Sequence, residues 1–256
     1  MDNLGAIIGP ILAIGLVGLL GTRWAIALSI IPGLLAAVAI LYAIRHTPRP
    51  TAHERQPIRI KIRPVLRGRL GRLMAGISLF ELGNCAATLL ILRATDLLRP
   101  SHSADRATQL AIGLYVLYNL AATLTSVPAG HHGDRRGATR TLRVGVAAFA
   151  LAYLLFAIGA DTVVALAPAF ILAGVGIGAV ETAEHAAVAS LAPEALRGSA
   201  FGLLAAVQSG GNLAASTIAG ILYATVSPAW AFGFLAVAML VALTVLVTTD
   251  GTDRRT

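Results

Sequence analysis

Charge is scarce in this chain. Aspartate, glutamate, lysine and arginine make up only 12% of its 256 residues, against roughly a quarter in soluble domains. A water-facing surface for a domain of this size cannot be assembled from so few ionic groups. Lysine is nearly absent: Lys61 stands alone beside nineteen arginines. Aromatic residues are 5% of the chain and do not interleave with the basic ones. The high isoelectric point therefore does not point to nucleic acid. The one cysteine, Cys85, excludes an internal disulfide and a cysteine-based metal site. The opening "MDNLGAIIGPILAIG" has neither a positive leader nor a small-residue cleavage site, so it does not read as a signal peptide. No histidine cluster, phosphate-binding glycine loop or Ser/His/Asp setting supports an enzyme. No cofactor and no metal is expected.

What the chain has instead is grease. Hydrophobic residues are 57% of it and mean hydropathy is +0.78. Eight apolar segments read as helices: Asn3–Gly21, Trp24–Ile44, Leu73–Leu98, Gln109–Gly130, Leu142–Gly159, Val163–Ala192, Ser199–Ala224 and Trp230–Val247. A bilayer core about 30 Å thick takes about 20 helical residues, so each can span it, the longer ones by tilting. The fold class is all-α, a polytopic membrane protein whose principal partner is the lipid bilayer.

Basic residues choose the orientation. Arg45 to Arg72 holds nine, the stretch from His131 to Arg143 four, Arg197 one, and the tail Arg254 and Arg255. All sixteen fall on one side, against Arg23, Arg93, Arg99 and Arg106 on the other. The excess places that side in the cytoplasm, with both termini, and the arginine-rich, alanine-rich composition suits a bacterial inner membrane. The basic segment Arg55–Arg72 is partly amphipathic and suits either an anionic lipid surface or a plain linker. A faint repeat at an offset of 206 matches Gly5 with Gly211, Ala13 with Ala219, Leu16 with Leu222, and Trp24-Ala25 with Trp230-Ala231. Parallel repeats of this kind relate the halves of transporter folds.

Between the fourth and fifth segments lies "PAGHHGDRRGATRTL", with Gly130, Asp134, Arg135, Gly137 and Arg140 in a G-x-x-x-D-R-x-G-x-x-R pattern. Gly130 and Gly137 permit a tight turn and close helix approach. Asp134 suits the free N–H groups of a neighbouring helix start, the best candidate being Gly198 to Phe201. The arginines suit carboxylates at the inner end of the sixth segment. Such contacts would hold one conformation and break in another.

This turn resembles the cytoplasmic signature of the major facilitator superfamily (MFS), although Ala138 and Thr139 stand where that signature often has a basic pair. In "GAIIGPILAIG", Gly5, Gly9 and Pro10 are similar to the G-x-x-x-G-P signature of the fifth helix of the family's efflux branch, without its following glycine pair. The resemblance sets the register. The first segment corresponds to the fifth helix of twelve, the charged turn lies between the eighth and ninth, and the basic loop Arg45–Arg72 joins the halves. It implies residues 1–44 as the end of the N-terminal bundle, 45–72 as a cytoplasmic linker, 73–247 as a six-helix C-terminal bundle and 248–256 as a tail. It implies secondary transport of a small solute by alternating access, of the efflux type, with protons a plausible coupling ion. It leads to the expectation that Met1 is an internal methionine and that four further helices complete the fold, supplied by a longer start or a separate chain. The alternatives are a non-transporting remnant, an assembly or regulatory subunit, and an uptake transporter.

Polar residues inside the apolar segments complete the inventory. Glu81 lies eight residues into the third segment, about 12 Å deep, where a charge costs roughly 2.5–3.5 kcal/mol. Asn84 and Thr88 share its face, which suits either a cavity wall for substrate or proton, or interhelical hydrogen bonds. Asn119 and Thr123 offer the same choice, with helix packing the plainer reading. Glu181, Glu184 and His185 follow i, i+3, i+4 spacing, and the two acids are read as gate partners of Arg135, Arg136 or Arg197; the alternative is a solvated helix end. Arg93 and Asp96 read as an interfacial pair. Gly174 and Gly178 form a small-x-x-x-small seam. His131 and His132, neighbours without a completing ligand, read as loop residues.

Overall fold

The structure, a computed structural model, describes residues 12, 15, 16, 19, 21–46 and 62–251. Most of the expected first segment, with Gly5, Gly9 and Pro10, most of the basic loop, and the tail arginines lie outside the described residues. The chain divides into two units, one of residues 5–59 and one built from Ile60 onward.

In the first unit, α1 (Thr22–Leu28) and α2 (Ile30–His46) are separated at Ser29. Pro32 explains the interruption of the expected Trp24–Ile44 helix. It has no N–H to donate to the carbonyl of Leu28, so the ladder fails there.

The second unit consists of helices joined by short connections, with no strand among its described residues: α3 (Ile62–Val65), α4 (Gly68–Glu81), α5 (Ala87–Leu98), α6 (Ala104–Arg136), α7 (Ala138–Ile158), α8 (Val163–Leu191), α9 (Arg197–Thr225) and α10 (Pro228–Gly251). Four described helices, α6, α7, α8 and α10, are each long and apolar enough to cross a membrane unaided. The starts are capped as the sequence dictates. Ser103 Oγ accepts from Arg106 N–H before α6, and Thr162 Oγ1 from Ala165 N–H before α8. Pro228 begins α10, where a missing N–H costs nothing.

Packing centres on α7 and α8. Lipid offers no hydrophobic drive between helices, so close van der Waals fit must hold them. Gly174 and Gly178 of α8 lie so near α6 that a Cβ on either would strike the carbonyls of Tyr118 and Ala122. This is the seam their spacing predicts. On the neighbouring face, a Cβ at Gly145 of α7 would stand 2.9 Å from the Gly176 carbonyl oxygen. Beyond the glycines runs a buried chain of rings. Phe80 meets Phe149 at 5.6 Å, Phe149 meets Tyr153 at 5.6 Å, and Tyr153 meets Phe232 at 6.1 Å. Phe156 then stacks on Phe232 at 5.2 Å and meets Phe170 edge-on at 5.1 Å. Three rings of α7 thus tie α4, α8 and α10 together, each contact contributing about 0.5–1.5 kcal/mol beyond area burial.

Two expected boundaries move. The fourth segment, read as Gln109–Gly130, continues through the histidines to Arg136, so the charged turn is the end of one helix, Gly137, and the first turn of the next, which holds Arg140. Gly137, at φ 93°, ends α6 and starts α7 by itself. Its N–H donates to the Gly133 carbonyl at 2.8 Å, and a side chain would strain this backbone. The third segment, read as one helix over Leu73–Leu98, is two: α4 stops at Glu81 and α5 starts at Ala87.

Candidate functional site

The interruption between α4 and α5 gathers the polar chemistry of the unit. The last turn of α4 tightens, with Gly83 N–H donating to the Phe80 carbonyl at 2.8 Å and Asn84 N–H to the Glu81 carbonyl at 3.2 Å. Ala86 is then extended, at φ −59° and ψ 138°, and α5 begins without a side-chain cap. Backbone groups left open within the packed unit need partners from the protein, and α9 supplies them. Asn212 Nδ2 donates to the Asn84 carbonyl at 2.8 Å, and the Ala86 N–H donates to Ser216 Oγ at 2.9 Å. Gly211 lets α9 come this close, because a Cβ there would collide with Glu81.

Side chains converge on the same place. Asn84 Nδ2 donates to Glu81 Oε2 at 3.0 Å, closing the i, i+3 pair expected from the sequence. Glu81 is 3% exposed and Glu184 of α8 is 0% exposed. Gln208 Nε2 of α9 donates to Glu184 Oε2 at 2.9 Å, while Glu184 Oε1 has no hydrogen-bond partner. Glu81, Glu181 and Glu184 lie within electrostatic reach of one another, and Tyr118 of α6 within reach of Glu181. Tyr118 stacks on Tyr115, ring centroids 5.5 Å apart. Cys85, in the break itself, is buried with its sulfur 3.6 Å from the Tyr153 hydroxyl.

The other sequence candidates fall elsewhere. Thr88 is exposed on α5, one turn past the break. Asn119 is buried and donates to the Tyr115 carbonyl at 2.8 Å, while Thr123 donates to the Asn119 carbonyl, so both bond within their own helix. Glu184 was expected opposite an arginine; the structure sets it against Gln208, because it points into the bundle rather than to the helix end. Arg197 is exposed at the start of α9, and Arg135, Arg140 and Asp134 are exposed around Gly137. Asp134 makes no hydrogen bond to Gly198–Phe201 among the described residues. Gly130 has room for a methyl group, its nearest neighbour being 3.7 Å away at Thr182, so close approach does not require glycine there. His185 Nδ1 lies 3.0 Å from the Glu181 carbonyl and its ring stacks on Phe201. No group of three metal-ligating side chains occurs among the described residues.

Arg93 and Asp96 are more engaged than an interfacial pair. Arg93 Nε donates to the Phe156 carbonyl at 3.1 Å, and the Tyr223 hydroxyl donates to Asp96 at 2.6 Å, fastening α5 to α7 and α9. Reading the sequence missed Gln208, Asn212 and Ser216, the three α9 residues that complete the break. Their signal was present: polar residues four apart along a helix otherwise made of small and apolar ones.

Comparison with known proteins agrees with this architecture. The Major Facilitator Superfamily model matches residues 100–256. An uncharacterised protein of Mycobacterium tuberculosis is 29% identical over 228 residues, covering 87% of this chain and 54% of that protein. An uncharacterised MFS-type transporter of Methanocaldococcus jannaschii is 28% identical over 235 residues, covering 90% and 57%. The chain thus spans about half the length of the curated relatives it matches. Among solved structures, the nucleoside transporter NupG aligns with a TM-score of 0.72 at 15% identity over 96% of this chain and 65% of that one. The peptide transporter POT aligns at 0.58 and 20% identity over 72% and 39%. At such identities the likeness is one of fold, an all-α membrane architecture. The family match extends over more than half of the sequence, and this chain belongs to the major facilitator superfamily.

Proposed function

We propose that this chain forms part of a secondary transporter that moves a small solute by alternating access, with the break between α4 and α5 as its binding region. Broken helices at the membrane midplane are where transporters of several folds bind substrates and coupling ions. The observation that carries the reading is the interruption at residues 82–86, faced by Glu81, Asn84, Glu184, Gln208 and Asn212 and completed by α9.

The finer parts of the reading rest on the sequence. Efflux follows from the likeness of Gly5, Gly9 and Pro10 to the efflux-branch signature. Proton coupling suits acids buried in a span. An inner-membrane location with cytoplasmic termini follows from the distribution of arginines.

The test uses a single thiol. In a Cys85→Ala background, Thr88→Cys places a reactive group one turn beyond the break. Sealed vesicles of each orientation are then treated with a membrane-impermeant maleimide. Alternating access predicts labelling from both sides. Labelling from one side only, with and without imposed ion gradients, would overturn the proposal.

A further inference from the structure

We propose that the elbow formed by α3 and the first turns of α4 docks on an anionic phospholipid surface. Residues 62–80 hold four arginines and no acid. All four, Arg63, Arg67, Arg69 and Arg72, are exposed. Beside them stand two large apolar side chains that the bundle leaves uncovered, Ile62 at 47% exposure and Leu66 at 54%. They lie four residues apart and share a face. Val65, on the other side, is fully buried where α3 packs against α9. A soluble anion would use the arginines alone. Apolar side chains set among cations suit a surface that is charged at its headgroups and apolar just beneath them.

The elbow is held in this pose by the protein itself. A helix as short as α3 does not persist in isolation, and here the bend fixes it. Leu66 N–H donates to the Ile62 carbonyl at 3.1 Å, Arg67 N–H to the Pro64 carbonyl at 3.3 Å, and Gly71 N–H to the Arg67 carbonyl at 3.2 Å. Gly68 turns the chain at φ 63°, a conformation that side chains disfavour. A Cβ on Gly71 would strike the Leu66 carbonyl, so the two arms of the elbow touch backbone to backbone. A surface already ordered loses little entropy on docking. The long arginine stems let the guanidinium groups stay with the phosphates while Ile62 and Leu66 enter the apolar layer. With the arginine-rich side read as cytoplasmic, the elbow meets the inner leaflet.

The experiment follows one thiol, Leu66→Cys in the Cys85→Ala background, labelled with an environment-sensitive bimane. The full chain is placed, one copy per disc, in nanodiscs of phosphatidylcholine alone or of phosphatidylcholine with phosphatidylglycerol. Docking is expected to shift the bimane emission to the blue and to bring it within reach of a nitroxide on the upper acyl chain, in the phosphatidylglycerol discs only. Arg63→Gln with Arg67→Gln is expected to lower the docked-to-free ratio roughly thirtyfold, about fivefold for each charge. Arg99→Gln with Arg106→Gln, outside the elbow, is expected to leave it unchanged. Should the first double variant not fold, molar potassium chloride makes the same test, since it shortens the Debye length to about 3 Å and is expected to release the elbow. No shift in the phosphatidylglycerol discs, the same shift in both lipids, or equal losses in the two double variants would each overturn the proposal. So would release by soluble glycerol phosphate, which would mark a site for a free anion. A shift that needs two copies per disc would overturn it by giving the face to a second copy of the chain. Transport is reported separately by the thiol at position 88, whatever the elbow does.

Discussion

The pair α7 and α8 and the pair α5 and α9 sit in the same unit and follow opposite rules. At α7 and α8, backbones touch through Gly145 and Gly176, and rings fill what remains. At α5 and α9, the contact is a set of polar hydrogen bonds made to a helix that has come apart. The first pair is a clamp of backbone and rings, although the Thr141 hydroxyl of α7 and one Glu184 carboxylate oxygen of α8 are buried without a hydrogen-bond partner. The second joins open backbone at Asn84 and Ala86 to side chains of α9. Backbone approach and ring packing dominate the first pair, and hydrogen bonds to open backbone dominate the second.

Substitutions can break that contrast. The largest loss of stability is expected from Phe156→Ala, which empties the junction of α7, α8 and α10. Large-to-small core changes of this kind cost about 3–5 kcal/mol, and thermal unfolding in detergent would show it. Next comes Gly178→Val, which drives a side chain into the Ala122 carbonyl of α6, for about 1–3 kcal/mol of overpacking. On the polar side, Asn212→Ala removes a partner of the broken backbone. Interhelical hydrogen bonds in membranes average about 0.6 kcal/mol and reach about 1.7, so the melting temperature is expected to fall little while two-sided labelling at position 88 is lost. The smallest effect belongs to Gly220→Ala, where open space surrounds the new methyl group. A Gly220→Ala loss as large as that of Gly178→Val would mean that glycine spacing, rather than backbone approach, governs these helices.

Much of the clamp could be read in advance. Apolar runs located its helices, and the four-residue spacing of Gly174 and Gly178 marked the neighbouring seam of α8 with α6. The glutamate and asparagine of the break were legible too, as polar residues too deep to be accidental. The break itself was hidden, because the apolar run from Leu73 to Leu98 outweighed its Gly83-Asn84 pair, a dipeptide that favours turns. The stripe Gln208, Asn212 and Ser216 was diluted by alanine and glycine, which carry no signal of what they face. Around Gly137 the charged residues suggested a loop. Arginine is a good helix former, however, and the helix ran on to the one glycine whose backbone could reverse it.

That reversal leaves no slack. With a single residue between them, α6 and α7 cannot slide past or swing away from each other at that end, so a rearrangement of the bundle has to carry them as one stiff lever. Play must come from the slacker joints, 99–103 before α6 and 159–162 after α7. A disulfide locking either joint would therefore arrest the motion, whereas one across the Gly137 end would go unnoticed.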